Sequence, residues 1–242
     1  MKSKYICGIR VDEVDKKSAL NLAKKLLLAD EYHFRWITSI NPEKCGRAME
    51  NEALRNTING SIMTIPDGIG IVWAGRINGL LLKHRIPGID FAWNMIRLVY
   101  KYNLKLYLYG AKTESNRCAK TRIEAMMPGI NIVGATDGYR DWDEVAKDIA
   151  QKRPDLLLIA MGGGKQEEFI WQYKDILPVK VAMGVGGSFD VWAGKVERAP
   201  RLWQTIGMEW FYRIAKEPFR IPRLKYGMRF MVCSIQQMLY NM

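Results

Sequence analysis

Leu156-Leu157-Leu158-Ile159-Ala160-Met161-Gly162-Gly163-Gly164-Lys165-Gln166-Glu167 is the stretch that decides the fold. An apolar run of strand length stops at three glycines and gives way to a helical stretch over 167–173, so it reads as strand, tight turn, helix. The same alternation extends outward in both directions. Further strands are expected at 5–11, 34–39, 61–65, 105–109, 131–134 and 180–185. Between them, helices are expected over 15–29, 44–57, 89–102, 115–126 and 142–152, the first with Ala19, Leu22, Ala23, Leu26 and Leu27 at helical spacing and Asp15 as its cap. Short strands alternating with helix-length amphipathic runs are the mark of an α/β protein with a mostly parallel sheet covered by helices.

The 242 residues suit one large domain with an appendage rather than two enzyme domains. Hydrophobic residues at 48% and charged ones at 26% exclude disordered, collagen-like and acidic-tail classes. The net charge of +12 points to a polyanionic partner: nucleic acid, a phosphate-bearing substrate or an anionic membrane surface. Cys7, Cys45, Cys118 and Cys233 have no CxxC or Cys/His metal spacing and read as reduced thiols of a cytoplasmic protein. The charged residues Asp12, Glu13, Asp15, Lys16 and Lys17 stand where a signal peptide needs its apolar run, so export is not expected. Nowhere do eighteen apolar residues run together, so no membrane span is expected either.

Three strands end in glycine-rich or polar turns: Tyr109-Gly110-Ala111-Lys112, Met161-Gly162-Gly163-Gly164-Lys165 and Gly184-Val185-Gly186-Gly187-Ser188. In an open α/β sheet the ligand crevice lies outside the carboxyl ends of strands, and such turns let backbone N–H groups approach phosphates. None of the three matches GxGxxG, and GxxxxGK[ST] is absent, so neither a standard dinucleotide site nor a P-loop is indicated. Beyond Gly194 the texture changes. From Lys195 to Arg229, nine basic residues face three acidic ones, interleaved with Trp203, Trp210, Phe211, Tyr212 and Phe219. Aromatic rings with guanidinium groups suit lipid headgroups, a lipid diphosphate or nucleic acid, and a solvated basic helix has the same composition.

Ile65-Pro66-Asp67-Gly68-Ile69-Gly70 places a carboxylate between a strand and an apolar helix. Asp67 is suited there to general-base work or to a ribose hydroxyl, while capping the helix is the commoner use of an Asp at such a turn. His84-Arg85-Ile86-Pro87-Gly88-Ile89-Asp90 holds a guanidinium beside a rigid turn, where its fork matches two phosphate oxygens without a metal. His33 and His84 are the only histidines, which disfavours a His-based triad or a zinc hydrolase.

Taken in order, Ser39-Ile40-Asn41-Pro42-Glu43, Pro66-Asp67-Gly68-Ile69-Gly70, Arg85 to Asp90, Asp137-Gly138-Tyr139, Gly164-Lys165-Gln166-Glu167 and Gly184 to Asp190 resemble the successive signatures of the WecG/TagA/CpsF-type bacterial glycosyltransferases. So do Arg198-Ala199-Pro200, Gly207-Met208-Glu209-Trp210, Arg213, Glu217-Pro218, Arg220 and Arg223. The resemblance implies a Rossmann-like catalytic domain over 1–194 and a basic, helical, membrane-associating appendage over 195–242. It implies an inverting enzyme that needs neither metal nor cofactor. Such an enzyme moves N-acetylmannosamine or its uronic acid from a UDP-sugar donor to a sugar on undecaprenyl diphosphate, in teichoic acid or cell-surface polysaccharide synthesis. It acts from the cytoplasm, bound peripherally to the inner face of the membrane.

By the same resemblance Asp67 is the general base, while Arg85 and Gln166 hold donor or acceptor oxygens. Thr38, Ser39 and Asn41 are polar contacts beside the second strand, Tyr139 offers a ring for uracil, and Asp190 accepts from base or ribose. Arg198 also falls in a matching motif, and Arg213, Arg220 and Arg223 neutralise diphosphate charge. This chain departs from the family pattern twice. Thr38 and Ser39 stand where Thr-x-Asn is usual, and on an alternating strand the two hydroxyls point to opposite faces. Gly164 replaces a usual proline, which loosens the turn before Gln166. A UDP-glucose transferase of exopolysaccharide assembly and a non-catalytic nucleic-acid-binding α/β protein are the competing readings. The appendage suits a contact between copies of the chain, giving a homo-oligomer, as well as it suits a membrane.

Overall fold

The computed structural model describes residues 1–240, so the last two residues of the expected 195–242 appendage lie outside the described residues. The chain opens with an antiparallel hairpin, β1 (Ser3–Ile6) and β2 (Ile9–Asp12). A single strand was expected over 5–11. Cys7 at φ 51° and Gly8 at φ 77° instead turn the chain back in two residues, the positive-φ pair that suits the twist of a tight hairpin.

The remaining strands are β3 (Arg35–Ile40), β4 (Met63–Pro66), β5 (Leu106–Gly110), β6 (Ile132–Thr136), β7 (Leu156–Ala160) and β8 (Val181–Gly184). They form one six-stranded sheet in the order β4-β3-β8-β7-β5-β6, with β3–β8, β8–β7, β7–β5 and β5–β6 all paired in parallel. The α/β architecture read from the strand and helix alternation is therefore present. Two compact units divide the chain. One comprises residues 1–16, 38–87 and 198 onward; the other comprises 17–37 and 88–197.

The second unit contains α1 (Lys16–Leu27) apart from its first residue. The first unit contains α2 (Pro42–Glu50), α3 (Glu52–Asn59) and α4 (Ile69–Ile77). One helix was expected over 44–57, but Asn51 breaks it. The extended backbone of Asn51 ends α2, and its side chain accepts the Leu54 N–H to start α3. The second unit continues with α5 (Gly88–Lys101), α6 (Thr113–Met126), α7 (Trp142–Lys152), α8 (Lys165–Tyr173) and α9 (Ser188–Trp192). The C-terminal stretch returns to the first unit as α10 (Arg201–Thr205), α11 (Glu209–Lys216), a 3₁₀ turn over Pro218–Arg223, and α12 (Leu224–Tyr240).

In the second unit Tyr107, Tyr109, Leu157, Ile159 and Ala182 present one sheet face to α7 and α8, burying Val145, Ile149, Phe169 and Tyr173. Helices α5 and α6 lie against β7 and β5. The helix after β5 leads to β6 on one side and the helix after β7 leads to β8 on the other. Neighbouring strands whose connections diverge in this way open a crevice beyond their carboxyl ends, here at Gly110 and Met161.

The first unit has its own core of Ile6, Ile9, Ile40, Ala48, Ile58, Ile71, Leu82 and Phe230. Helix α12 is part of it. Asn78, at the end of α4, donates to the Ser234 carbonyl at 3.1 Å, and Gln237 bridges the hairpin by accepting from Cys7 N–H and donating to the Tyr5 carbonyl. Cys7 and Cys233 are joined in a disulfide, not separate thiols as expected, because the hairpin turn brings their Cα atoms to 6.2 Å.

Candidate active site

In the first unit the loops that leave β3 and β4 are bonded to each other. The Asp67 N–H donates to the Ile40 carbonyl at 2.8 Å, and the Ile86 N–H donates to the Pro66 carbonyl at 2.7 Å. These two main-chain bonds bring together the loops that carry Asn41, Asp67 and Arg85. Gly68 follows Asp67 at φ 121°, a backbone state that a side chain disfavours, and Asn41 Cβ stands 3.8 Å from where a Cβ on that glycine would be. Gly68, not Asp67, occupies the N-cap position of α4. The Asp67 residue is half-buried.

Asn41 is the N-cap of α2, its side-chain oxygen accepting the Lys44 N–H at 2.8 Å. On β3, Thr38 is buried and Ser39 half-buried. Of the two hydroxyls, that of Ser39 belongs to the more open residue.

Arg85 donates from both terminal nitrogens to Glu209 Oε2, at 3.1 and 3.2 Å, and from Nη2 to the Gln204 carbonyl. The other Glu209 oxygen accepts from Arg198 Nε at 3.0 Å, and Arg213 stands 3.8 Å from it. Three arginines from the expected set thus converge on one carboxylate. The cluster keeps a net positive charge, an electrostatic match for a diphosphate. Arg223 lies 3.8 Å from Glu43, in the first turn of α2 beside Asn41. Arg220 pairs with Glu217 three residues away.

In the second unit the crevice turns are also tied by main-chain bonds. The Ala111 N–H donates to the Ala160 carbonyl at 2.7 Å, Gly138 N–H to the Ala111 carbonyl at 2.9 Å, and Val185 N–H to the Ile159 carbonyl at 2.8 Å. Gly110 has no alternative residue, since a Cβ there would stand 2.5 Å from the Ala160 carbonyl oxygen. Gln166 is buried over Gly184. Its side-chain oxygen accepts the Gly186 N–H at 2.9 Å and its nitrogen donates to Glu167 at 2.8 Å. Asp190, in α9, turns its carboxylate back to within 4.0 Å of a Cβ position on Gly187, so Gln166 and Asp190 share the turn after β8.

Tyr139 stands apart from these two on the turn after β6, the residue 74% exposed. Its N–H donates to Asp137, which also accepts from the Thr113 hydroxyl at 2.7 Å. Those bonds, the Thr113 one foremost, hold the Asp137 carboxyl below the usual carboxylate range. Behind it, burial with help from Asp137 and Asp141 pushes the Tyr109 hydroxyl up to about 12. Gly164 sits at φ 96°, a value closed to proline, so this turn differs from one that a proline fixes.

A recess of about 470 Å³ lies between α6, β6 and α7, lined by this same Thr113 and Asp137 together with Arg117, Lys120, Arg140 and Asp148 among others. Neither Tyr139, Gln166 nor Asp190 lines it. Among the described residues no group of three or more His, Cys, Asp or Glu side chains is placed to hold a metal ion.

The sequence alone assigns no role to Glu209, which stands inside one of the matching motifs. An acidic residue in a basic stretch was the one signal that marked it. Thr113, which holds Asp137, carried no signal at all.

The family model described as the Glycosyl transferase WecG/TagA/CpsF family matches residues 4–241. The chain is 36% identical over 189 residues to the N-acetylglucosaminyldiphosphoundecaprenol N-acetyl-beta-D-mannosaminyltransferase of Bacillus subtilis (strain 168), covering 78% of this chain and 74% of that one. It is 35% identical over 196 residues to the protein of the same description from Bacillus spizizenii, covering 81% of this chain and 76% of that one. To the Staphylococcus aureus (strain MRSA252) protein so described it is 32% identical over 222 residues, 91% of this chain and 87% of that one.

Proposed function

Since this chain belongs to the WecG/TagA/CpsF glycosyl transferase family and is a glycosyltransferase, we propose that it moves N-acetylmannosamine, or its uronic acid, from a UDP-sugar to the N-acetylglucosamine of a diphosphoundecaprenol-linked acceptor. The non-catalytic, nucleic-acid-binding alternative falls with that membership. The observation that carries this reading is the main-chain tie between the loops of Asn41, Asp67 and Arg85, with Arg198 and Arg213 gathered at the same Glu209 as Arg85.

In the proposed reaction the acceptor hydroxyl gives its proton to the Asp67 carboxylate as its oxygen bonds to the donor's anomeric carbon. The bond from that carbon to the diphosphate breaks in the same displacement, inverting the centre, and UDP departs with the electron pair. One base on the attacking side suffices because the transition state is oxocarbenium-like. Arg85, with Arg198, Arg213, Arg220 and Arg223, supplies positive charge to a diphosphate. Taken by itself, the crevice of the second unit supports nucleotide binding, with Tyr139 offered to uracil and Asp190 to base or ribose.

Contact with the membrane surface is part of the proposal. No helix among the described residues is long and apolar enough to cross a membrane. Leu202, Ile206, Trp210, Phe211, Phe219 and Ile221 are nevertheless exposed among Arg201, Arg213, Lys216 and Arg220. Apolar side chains that reach lipid while guanidinium groups meet headgroups hold a protein reversibly at an anionic surface, the inner face of the cell membrane in this reading.

The test is UDP release from UDP-N-acetylmannosamine with a short-chain N-acetylglucosaminyl lipid diphosphate. Asp67→Asn is expected to lower the rate by about 10²- to 10⁴-fold, the contribution of a general base, with the melting temperature unchanged. A variant that retains full turnover rules out Asp67 as the base. Turnover with UDP-glucose but not the mannosamine donor favours the exopolysaccharide reading.

A further inference from the structure

Glu209 is the acidic centre of the arginine cluster, and it is 8% exposed. A carboxylate so far from water is tolerated only when paired and hydrogen-bonded, and the two oxygens of Glu209 divide that work. Oε2 takes both terminal nitrogens of Arg85 and Oε1 takes Arg198, with Arg213 farther off. The Gln204 carbonyl adds a second acceptor and a third bond for Arg85. Among the described residues these three bonds are the polar contacts of the Arg85 side chain, so two of its five N–H donors are left for a ligand.

The segment holding Glu209 is itself fixed beside the Asp67 loop. Gly207 packs so closely on Ile69 that a Cβ there would stand 3.0 Å from the Ile69 Cβ. Stability alone gives little reason for a charge at this place, because well-packed apolar residues replace buried ion pairs at little or no loss. Orientation gives one. Without the carboxylate, a guanidinium on a long side chain samples many rotamers, and its neighbour Arg198 repels it.

We propose that Glu209 is a positioning residue: it aims Arg85 at the diphosphate released from the donor and keeps Arg198 at its side. This rests on the transfer reading above. It separates two kinds of arginine in the C-terminal segment, Arg198 and Arg213 gathered by Glu209, and Arg220 and Arg223 paired with Glu217 and Glu43.

The test is a double-mutant cycle on the full chain, with UDP release read from whichever UDP-sugar the unmodified protein turns over. Glu209→Gln keeps the shape and removes the charge. It is expected to lower kcat by about tenfold to a hundredfold, the span of coupling between contacting residues, with donor KM changed less than kcat. In an Arg85→Ala background the same substitution is expected to cost less than about twofold, because there is no longer a fork to aim.

Equal losses in both backgrounds, or undiminished kcat in Glu209→Gln, overturn the assignment, since a merely structural role gives additive effects. Glu209→Asp retains the buried charge but is one methylene too short to reach both arginines. It supplies the same cycle if circular dichroism shows Glu209→Gln unfolded. No UDP release by the unmodified chain refutes the transfer reading and takes this assignment with it. Release without coupling refutes the assignment alone.

Discussion

Two glycines in one helix pair make opposite demands, and alanine at each should move stability in opposite directions. Gly46 lies in the middle of α2 where the backbone of α12 passes. A Cβ on it would stand 1.9 Å from the Tyr226 carbonyl oxygen, 2.5 Å from its carbon and 2.9 Å from its Cα. All three are backbone atoms, so no rotamer change relieves the clash. The helices must part by about 1 Å to reach contact distance, and Phe230, fully buried from α12, then loses part of its packing. Against this stands the helix preference of alanine over glycine, about 1 kcal/mol. Overpacking of this kind costs typically 1–3 kcal/mol or more, and complete loss of a buried Phe side chain about 3–5 kcal/mol. A net loss of about 2 kcal/mol therefore follows for Gly46→Ala, or a melting temperature lower by roughly 4–8 °C in a chain of this size. Gly227, on the facing helix, has its nearest neighbour at 3.7 Å, an ordinary contact. Gly227→Ala should thus gain about 0.5–1 kcal/mol from propensity alone. Thermal unfolding by circular dichroism of the two single variants decides the matter. A Gly46→Ala protein that melts at or above the unmodified temperature would mean that α12 does not approach α2 so closely, and the argument fails.

The Asp137 carboxyl, held below its ordinary range chiefly by Thr113, contributes stability that is full above the unfolded carboxylate pKa and is lost as pH falls through the folded value. Thr113→Val should therefore cost stability at neutral pH and little below the folded value. Melting curves of the two proteins that stay parallel from neutral pH down to that range would contradict it. On the surface proposed to meet the membrane, Phe219 and Ile221 are 68% and 54% exposed beside Arg220 and Arg223. Replacing both apolar residues by Ser is expected to weaken co-sedimentation with anionic vesicles by about tenfold or more, given roughly 1.5–3 kcal/mol for fully burying one such side chain. Undiminished pelleting would remove these two residues from the membrane surface.

The alternation of apolar strands and amphipathic helices carried the α/β architecture because each buried strand is punctuated by glycine or polar turns. Where the reading went astray, the deciding interaction was distant or the punctuation unusual. Ile6-Cys7-Gly8-Ile9 lacks the Asn-Gly or Asp-Gly that announces a tight hairpin, and the run on either side looks like one strand. Asn51 interrupts a helical pattern without proline or glycine, by capping from its side chain. The Cys7–Cys233 pair joins residues 226 positions apart, a separation over which spacing says nothing. Resemblance drew attention to Asp67, Arg85 and Asn41, and the loops that bear them are tied together by main-chain bonds. Glu209 stayed without a role because its meaning depends on Arg85, 124 residues earlier. Local charge counting sees only one acid diluted among bases.

That contrast explains which parts of the site a sequence exposes. Loops at strand ends are set by main-chain bonds such as Asp67 to Ile40 and Ala111 to Ala160, which any residue except proline can make, so their side chains are free to be chosen for chemistry. Such residues recur as short motifs and are legible. The aim of a long cationic side chain is set differently, by a partner whose position only the folded chain determines. For Arg85 that partner lies on α11, and in the proposed reaction what the fold contributes there is a direction for a charge that the sequence had already supplied.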